Sequence, residues 1–253
     1  MKHISKFALA ALFFLSACAG DKYPYDYQFM SADSIPITAL GAPPAVGSKE
    51  WNKEIDAIIA RQKKLTDAQK AVLVSENHIT PGMIVLPVLG SRYAEASYPK
   101  LYSWLRHGAS DAWRTADAHQ DYWNAPRPWV SDDRVELLVP RITRPSYPSG
   151  HTTTNTVWAY MLTGLFPQMH EALFKRAHEI GFHRVDAGVH FPHDVAAGKR
   201  MAGLVYQQIE MNAAYQAERR AVQQELRDRG LPLKRGPIPR APKPGTASYS
   251  PLY

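Results

Sequence analysis

Apolar residues recur at helical spacing along most of this chain. In SKEWNKEIDAIIARQKKL (residues 48–65), Trp51, Ile55, Ile58 and Ile59 share one side, which predicts an amphipathic helix. TDAQ (66–69) has capping-box spacing and opens a second helix through Val74. Residues 84–107 mix apolar runs with Tyr and Trp and read as one or two helices. Residues 109–124 read as a further one that ends at APRP (125–128). Ser131 with Asp132 starts a short helix. Ser149 caps a long apolar helix to Phe166, Pro167 breaks it, and residues 168–182 are helical again. Pro192 suits the first turn of a last long helix, from Phe191 to Arg229, whose charged end, AERRAVQQELRDRG, reads as projecting into solvent. Neither an alternating strand pattern nor an internal repeat interrupts this. The fold expected is all-α, a bundle of about eight to ten helices.

The two ends depart from that pattern. MKHISKFALAALFFLSACAG opens with Lys2 and Lys6 and continues with an apolar run too short to span a membrane, so it reads as an export signal. LSAC, ending at Cys18, resembles the bacterial lipobox, in which the cysteine is lipidated. Cys18 is the only cysteine, which favours that reading, and Ala19 after it points to the outer membrane. The competing reading is ACA (17–19) as an ordinary cleavage site, giving a soluble periplasmic or secreted protein. One cysteine permits no internal disulfide, so stability rests on the core. The domain boundaries expected are residues 1–17 as a signal peptide, 18–48 as a tether with room to pack in part on the domain, 49–229 as one domain, and 230–253 as a disordered, proline-rich basic tail. VWAYMLTGLF (157–166) is the densest apolar run and reads as a buried helix.

Net charge changes the picture less than its value suggests. The chain carries +7, but Lys2, Lys6, Lys234, Arg235, Arg240 and Lys243 lie in the two ends, which contain no acid. The body between them is close to neutral, which disfavours a nucleic-acid partner.

Three clusters carry the candidate chemistry: Arg127–Pro128, PSGH (148–151), and HRVDAGVHFPHD (183–194), the last with Arg184, His190 and Asp194 at the spacing Arg-x5-His-x3-Asp. Together and in this order they resemble the signature of the type 2 phosphatidic acid phosphatase superfamily. That superfamily includes bacterial class A acid phosphatases, membrane lipid phosphatases and vanadium haloperoxidases. SYPSGHT and the early IARQKKLTDAQ look most similar to the class A acid phosphatases. The resemblance implies a helical-bundle hydrolase that takes phosphate monoesters (a nucleotide, sugar or lipid phosphate), with no cofactor and no metal.

Elementary chemistry suits those positions. Arginine's planar fork matches phosphate oxygens, so Arg127 and Arg184 are candidate phosphate ligands. Ser149 and Gly150 lie at a helix start, where amide hydrogens and the dipole favour an anion. His190 is the candidate nucleophile, forming a phosphohistidine. Asp194, one helical turn on, would fix its tautomer and support the imidazolium. His151 is the candidate general acid and then general base, which implies an acidic optimum because it must be protonated while His190 is neutral. The resemblance assigns the same roles.

Two positions depart from the family pattern. Gln120 replaces the lysine expected seven residues before Arg127, retaining a hydrogen-bond donor without the charge, and His183 replaces a serine before Arg184. Two alternatives therefore stand beside the phosphatase: a vanadium-dependent haloperoxidase in the same architecture, and a non-catalytic phosphate-binding envelope lipoprotein. His178, His183, His190 and His193 do not put three ligands on one helical face, and the arginine among them disfavours a metal ion. Tyr122, Trp123 and Trp129 read as core or pocket wall, and Asp186 as solvent-facing or structural. The oligomeric state stays open, a homo-oligomer included.

Overall fold

The computed structural model describes residues 26–231. Its helices are α1 (Lys49–Gln62), α2 (Asp67–Ser75), α3 (Gly82–Leu89), α4 (Pro99–Trp123), α5 (Pro128–Ser131), α6 (Gly150–Thr163), α7 (His170–Asp186), α8 (Pro192–Glu210) and α9 (Ala213–Asp228), with 3-10 turns at Ser91–Tyr93 and Pro167–Met169. No strand occurs among the described residues, so the all-α expectation holds.

Helix α6 is the axis of the molecule. Every residue from Gly150 to Thr163 is buried, and α4, α7 and α8 pack around it. A helix covered on all sides must satisfy its polar side chains internally. Here the Thr153 and Thr163 hydroxyls donate to carbonyls one turn back, Ser149 and Ala159, at 2.9 and 2.7 Å. Trp158 Nε1 donates to the Leu105 carbonyl of α4 at 2.7 Å. Phe166, Leu173, Met201 and Val205 complete the core around it.

Local signals account for several ends. Ser48 caps α1 through the amide of Trp51, and Thr66 with Gln69 forms the expected capping box of α2. Other expectations need correction. Residues 109–124 are not a separate helix: α4 runs unbroken from Pro99. Gly108 lies within it against Met161 and Ile209, a packing position rather than a break. Ser131 and Asp132 end a helix instead of starting one, since Ser131 Oγ and amide both return to the Arg127 carbonyl. The last helix is two. It stops at Glu210, and Asn212 caps a new one by accepting from the amides of Ala214 and Tyr215. The charged end of α9 does not project into solvent either. Glu225 is buried and accepts from the amides of Lys100 and Leu101, both at 3.0 Å, capping α4 where its own turn leaves donors unmet.

Residues 26–48 lie against this bundle. The Asp111 carboxylate accepts from the amides of Gln28 and Phe29, while Phe29, Ile35 and Leu40 are buried in the main core. Among the described residues, no helix is long and apolar enough to cross a membrane. The expected signal peptide, Cys18 and the basic tail beyond Leu231 lie outside the described residues.

Candidate active site

The three sequence clusters meet at the N-terminal ends of α6 and α8. A cavity of about 290 Å³ opens there, lined by Trp113 and Gln120 of α4, Arg127 at the start of α5, the 141–144 segment, Gly150 and His151 of α6, and His190. Ser149, Arg184 and Asp194 do not line it; they stand behind the residues that do.

His190 sits on the short link between α7 and α8. Gly188 makes the turn into that link with φ at +75°, a conformation that favours glycine. The amides of Val189 and His190 both return to the Arg184 carbonyl. His190 Nδ1 lies 3.2 Å from Asp194 Oδ2. A carboxylate only accepts, so Nδ1 carries the hydrogen and Nε2 presents a lone pair. That Nε2 is 3.2 Å from Arg127 Nη1 at the cavity.

Asp194 is fully buried and multiply bonded. Its Oδ2 also accepts from Ser146 Oγ at 2.5 Å and from the Phe191 amide at 2.8 Å, and its Oδ1 lies 3.2 Å from His193 Nε2. Burial alone would raise this carboxyl, but the bonds from His190 and His193 outweigh it and hold it well below the usual carboxylate range. His193 Nδ1 is in turn bonded to Glu54 of α1.

Three backbone carbonyls hold Arg127. Nε donates to the Arg144 carbonyl and Nη1 to that of Val189, both at 2.7 Å, and Nη2 donates to Pro145 at 3.0 Å. With Nη1 also directed at His190, one Nη2 hydrogen remains for a ligand. Burial pulls its pKa down to about 10, still charged at neutral pH.

Ser149 does cap α6: its Oγ accepts from the Thr152 amide, and its own amide donates to the Asp194 carbonyl at 3.1 Å, clasping α6 to α8. The first two amides of α6, those of Gly150 and His151, have no acceptor within the helix, and Gly150 lies at the cavity wall. A side chain at 150 would press on the Trp113 indole, 3.0 Å from its Cζ3.

His151 Nε2 lies 3.1 Å from the Asn77 carbonyl and so carries a hydrogen, leaving Nδ1 to exchange protons. Its edge meets the Trp113 ring, with centroids 6.0 Å apart. Burial first, then the neighbouring Arg184 charge, pushes its pKa well below the ordinary histidine value. His190 is lowered to about 4 by burial and by Arg127.

Several partners were absent from the sequence reading. Asn77 touches both His151, through its carbonyl, and the fully buried Arg184, whose Nη2 donates to Asn77 Oδ1 at 3.1 Å. Next to it, Glu76 accepts from Arg176 and, at 2.6 Å, binds His183 Nδ1. His183 therefore turns away from the cavity to fasten the Glu76–Asn77 segment. Gln120 lines the cavity with one amide hydrogen engaged by the Pro148 carbonyl at 2.7 Å. Asp186 proves structural, bonded through both oxygens to Arg61. Trp129 stacks under Arg141, 4.7 Å from the ring centroid, in an adjoining cavity. Trp123 packs against the main core, and Tyr122 is exposed.

The family model described as the PAP2 superfamily matches residues 115–215, a span that contains all three clusters. A non-specific acid phosphatase of Salmonella typhimurium is 29% identical over 163 residues, which is 62% of this chain and 65% of that one. A non-specific acid phosphatase of Salmonella typhi is 30% identical over 152 residues, covering 58% and 60%. The chain thus spans slightly less than two thirds of these relatives' length. The crystal structure of the first bacterial vanadium-dependent iodoperoxidase aligns with a TM-score of 0.50 at 18% identity, covering 70% of this chain and 53% of that chain, a likeness of fold. The helical fold, the order of the three clusters and the match over residues 115–215 agree, and in that span this chain is similar to the PAP2 superfamily.

Proposed function

We propose that this protein is a phosphatase that hydrolyses phosphate monoesters through a phosphohistidine, with an acidic optimum and no metal ion. The observation that carries this is the His190 geometry: Nδ1 tied to a buried carboxylate, Nε2 turned to a cavity walled by arginine and helix-start amides. Bonds and protons balance over two steps. His190 Nε2 attacks phosphorus, the ester P–O bond breaks, and the leaving alkoxide takes the proton from His151 Nδ1. Water then gives a proton back to His151 Nδ1 and attacks phosphorus, the P–N bond breaks, and phosphate leaves. Asp194 supports the charge on the imidazole ring while phosphorus is bound to it.

The acidic optimum follows from the two imidazoles. His190, lowered to about 4, is neutral and nucleophilic even in mild acid. His151 is also pushed down, by burial and by Arg184, so its proton has to arrive with the substrate's negative charge, and low pH assists that. The similarity to non-specific acid phosphatases supports the same reading. Placement outside the cytoplasm, on a lipid anchor at Cys18, rests on residues 1–18 and would be read by membrane fractionation of Cys18→Ser.

The test is phosphate release from an aryl phosphate by the full chain, from pH 4 to 9 with EDTA present, beside His190→Ala. EDTA-resistant activity, highest in acid and lost in the variant, is expected. Activity that survives in His190→Ala, or that needs an added metal ion, would refute the mechanism. Phosphate binding without turnover would favour the non-catalytic reading that Gln120 suggested.

A further inference from the structure

Position 120, where the family resemblance expects a lysine, brings no charge to the cavity. Its carboxamide is instead engaged on both sides: Nε2 donates to the Pro148 carbonyl at 2.7 Å, and Oε1 receives Arg144 Nε at 3.4 Å. Arg144 thereby places a guanidinium in the corner that Gln120 occupies, and both line the cavity that Arg127, His151 and His190 share. The group is held still from α4. Nε lies 3.0 Å from Asp117 Oδ1, and Nη2 donates to the Asp117 carbonyl at 3.1 Å and to Asp121 Oδ1 at 2.9 Å. Nη1 makes no hydrogen bond among the described residues, so its two hydrogens are available to an anion. The two acids offset part of the charge, so what they leave is a fixed, directed donor pair more than a free cation, and rigid donors are what phosphate recognition uses.

We propose that Arg144, reaching in from the loop before α6, makes the cationic contact to the phosphoryl oxygens that a lysine at position 120 would otherwise make. This rests on the phosphate site proposed above.

Two readouts on the full chain test it: inorganic phosphate binding by calorimetry, and steady-state kinetics with an aryl phosphate. The proteins are wild type, Arg144→Ala, Arg144→Gln, Gln120→Lys and the double variant Gln120→Lys/Arg144→Ala. Losing a charge-assisted contact should weaken phosphate binding and raise KM by about 10- to 100-fold in both Arg144 variants. Lysine at 120 should recover about tenfold or more in the Arg144→Ala background, and clearly less where Arg144 is present. A purely structural role for Arg144, through its ties to α4 and to Arg127, would not be rescued by a new charge at 120. Arg144→Gln retains the side chain's bulk and hydrogen bonding should the alanine variant not fold. Unchanged phosphate affinity in Arg144→Gln, or the same factor from Gln120→Lys in both backgrounds, overturns the proposal. Calorimetry separates it from the reading it rests on: a chain that binds phosphate through Arg144 but hydrolyses nothing refutes only the phosphatase, and a wild type that binds no phosphate refutes both.

Discussion

Replacing Gly198 by alanine should separate the two halves of the active site. Gly198 lies on α8 where it passes the start of α6. A Cβ there would sit 2.8 Å from the Ser149 carbonyl oxygen and 2.9 Å from Thr152 Cβ, and ordinary contact begins at 3.4 Å. Relief requires the helices to part by about 0.6 Å, because the nearest atom is backbone and cannot rotate away. Overpacking of this kind costs about 1–3 kcal/mol, of which alanine's better helix propensity returns about 1 kcal/mol. The net loss of up to about 2 kcal/mol corresponds to a Tm lower by up to about 8 °C for a domain of this size. The catalytic loss should be larger in proportion. The Ser149 amide and Asp194 carbonyl, 3.1 Å apart, clasp the wall holding Gly150 and His151 to the helix holding Asp194. Stretching that clasp displaces His190 from the anion cradle, and misplacements approaching 1 Å cost up to about a hundredfold in rate. We expect kcat to fall about tenfold with KM changed far less. Calorimetric Tm and kcat would be compared with Gly82→Ala, whose Cβ meets nothing closer than 3.6 Å. If Gly198→Ala keeps both the wild-type Tm and kcat, the α6–α8 spacing does not set the site's geometry.

Asp194→Asn should leave KM close to wild type and lower kcat by about 10²- to 10⁴-fold, since the amide keeps the shape but removes the charge that supports the imidazole ring. A kcat within tenfold of wild type would show that the buried carboxylate serves packing alone. His193 yields a stability prediction with a definite sign. Burial lowers it, but Asp194 and Glu54 outweigh this and raise it to about 9, above its unfolded value near 6.5. A raised folded value gives stability that is complete below about pH 6.5 and is lost as pH rises through 9, up to about 3 kcal/mol in all. Urea midpoints at pH 6 and 9.5 should therefore differ more in wild type than in His193→Gln, and equal declines in the two proteins would refute the assignment.

Much of this architecture was legible because its signals are local. Ser48, Thr66 with Gln69, and Ser149 cap helices through atoms three residues away, and the i, i+4 spacing of His190 and Asp194 puts them in contact on any helix start. What failed depends on distant partners. Glu225 looks like one more charge on a solvated helix until the amides of Lys100 and Leu101, more than 120 residues earlier, claim it. The break at Asn212 had a signal, since asparagine is a strong N-cap, but the helical pattern on both sides concealed it. The same division runs through the site. The motif residues came from spacing, but Asn77, Glu54 and Ser146 reach it from 74, 139 and 48 residues away from their partners, with no pattern to betray them. His183 shows this best: it read as a defect in the family pattern, and the structure gives it a different task, holding Glu76 beside Asn77.

The electrostatics of the site depend on these same long-range partners. Arg127 and Arg184 are both buried, and each lowers His151 and His190 in addition to the burial of the two rings. Only His190 has a carboxylate to offset this; His151 has the Asn77 carbonyl, a dipole and not a charge. The two imidazoles are therefore unequal by construction, one with a fixed counter-charge and one without. A bound phosphate ester would bring negative charge to both, but it would change His151 the more, because no other anion stabilises its proton. In the proposed mechanism His151 would be charged by the substrate it protonates, while His190 would keep its Nε2 lone pair through the fixed Asp194 bond that holds its hydrogen on Nδ1.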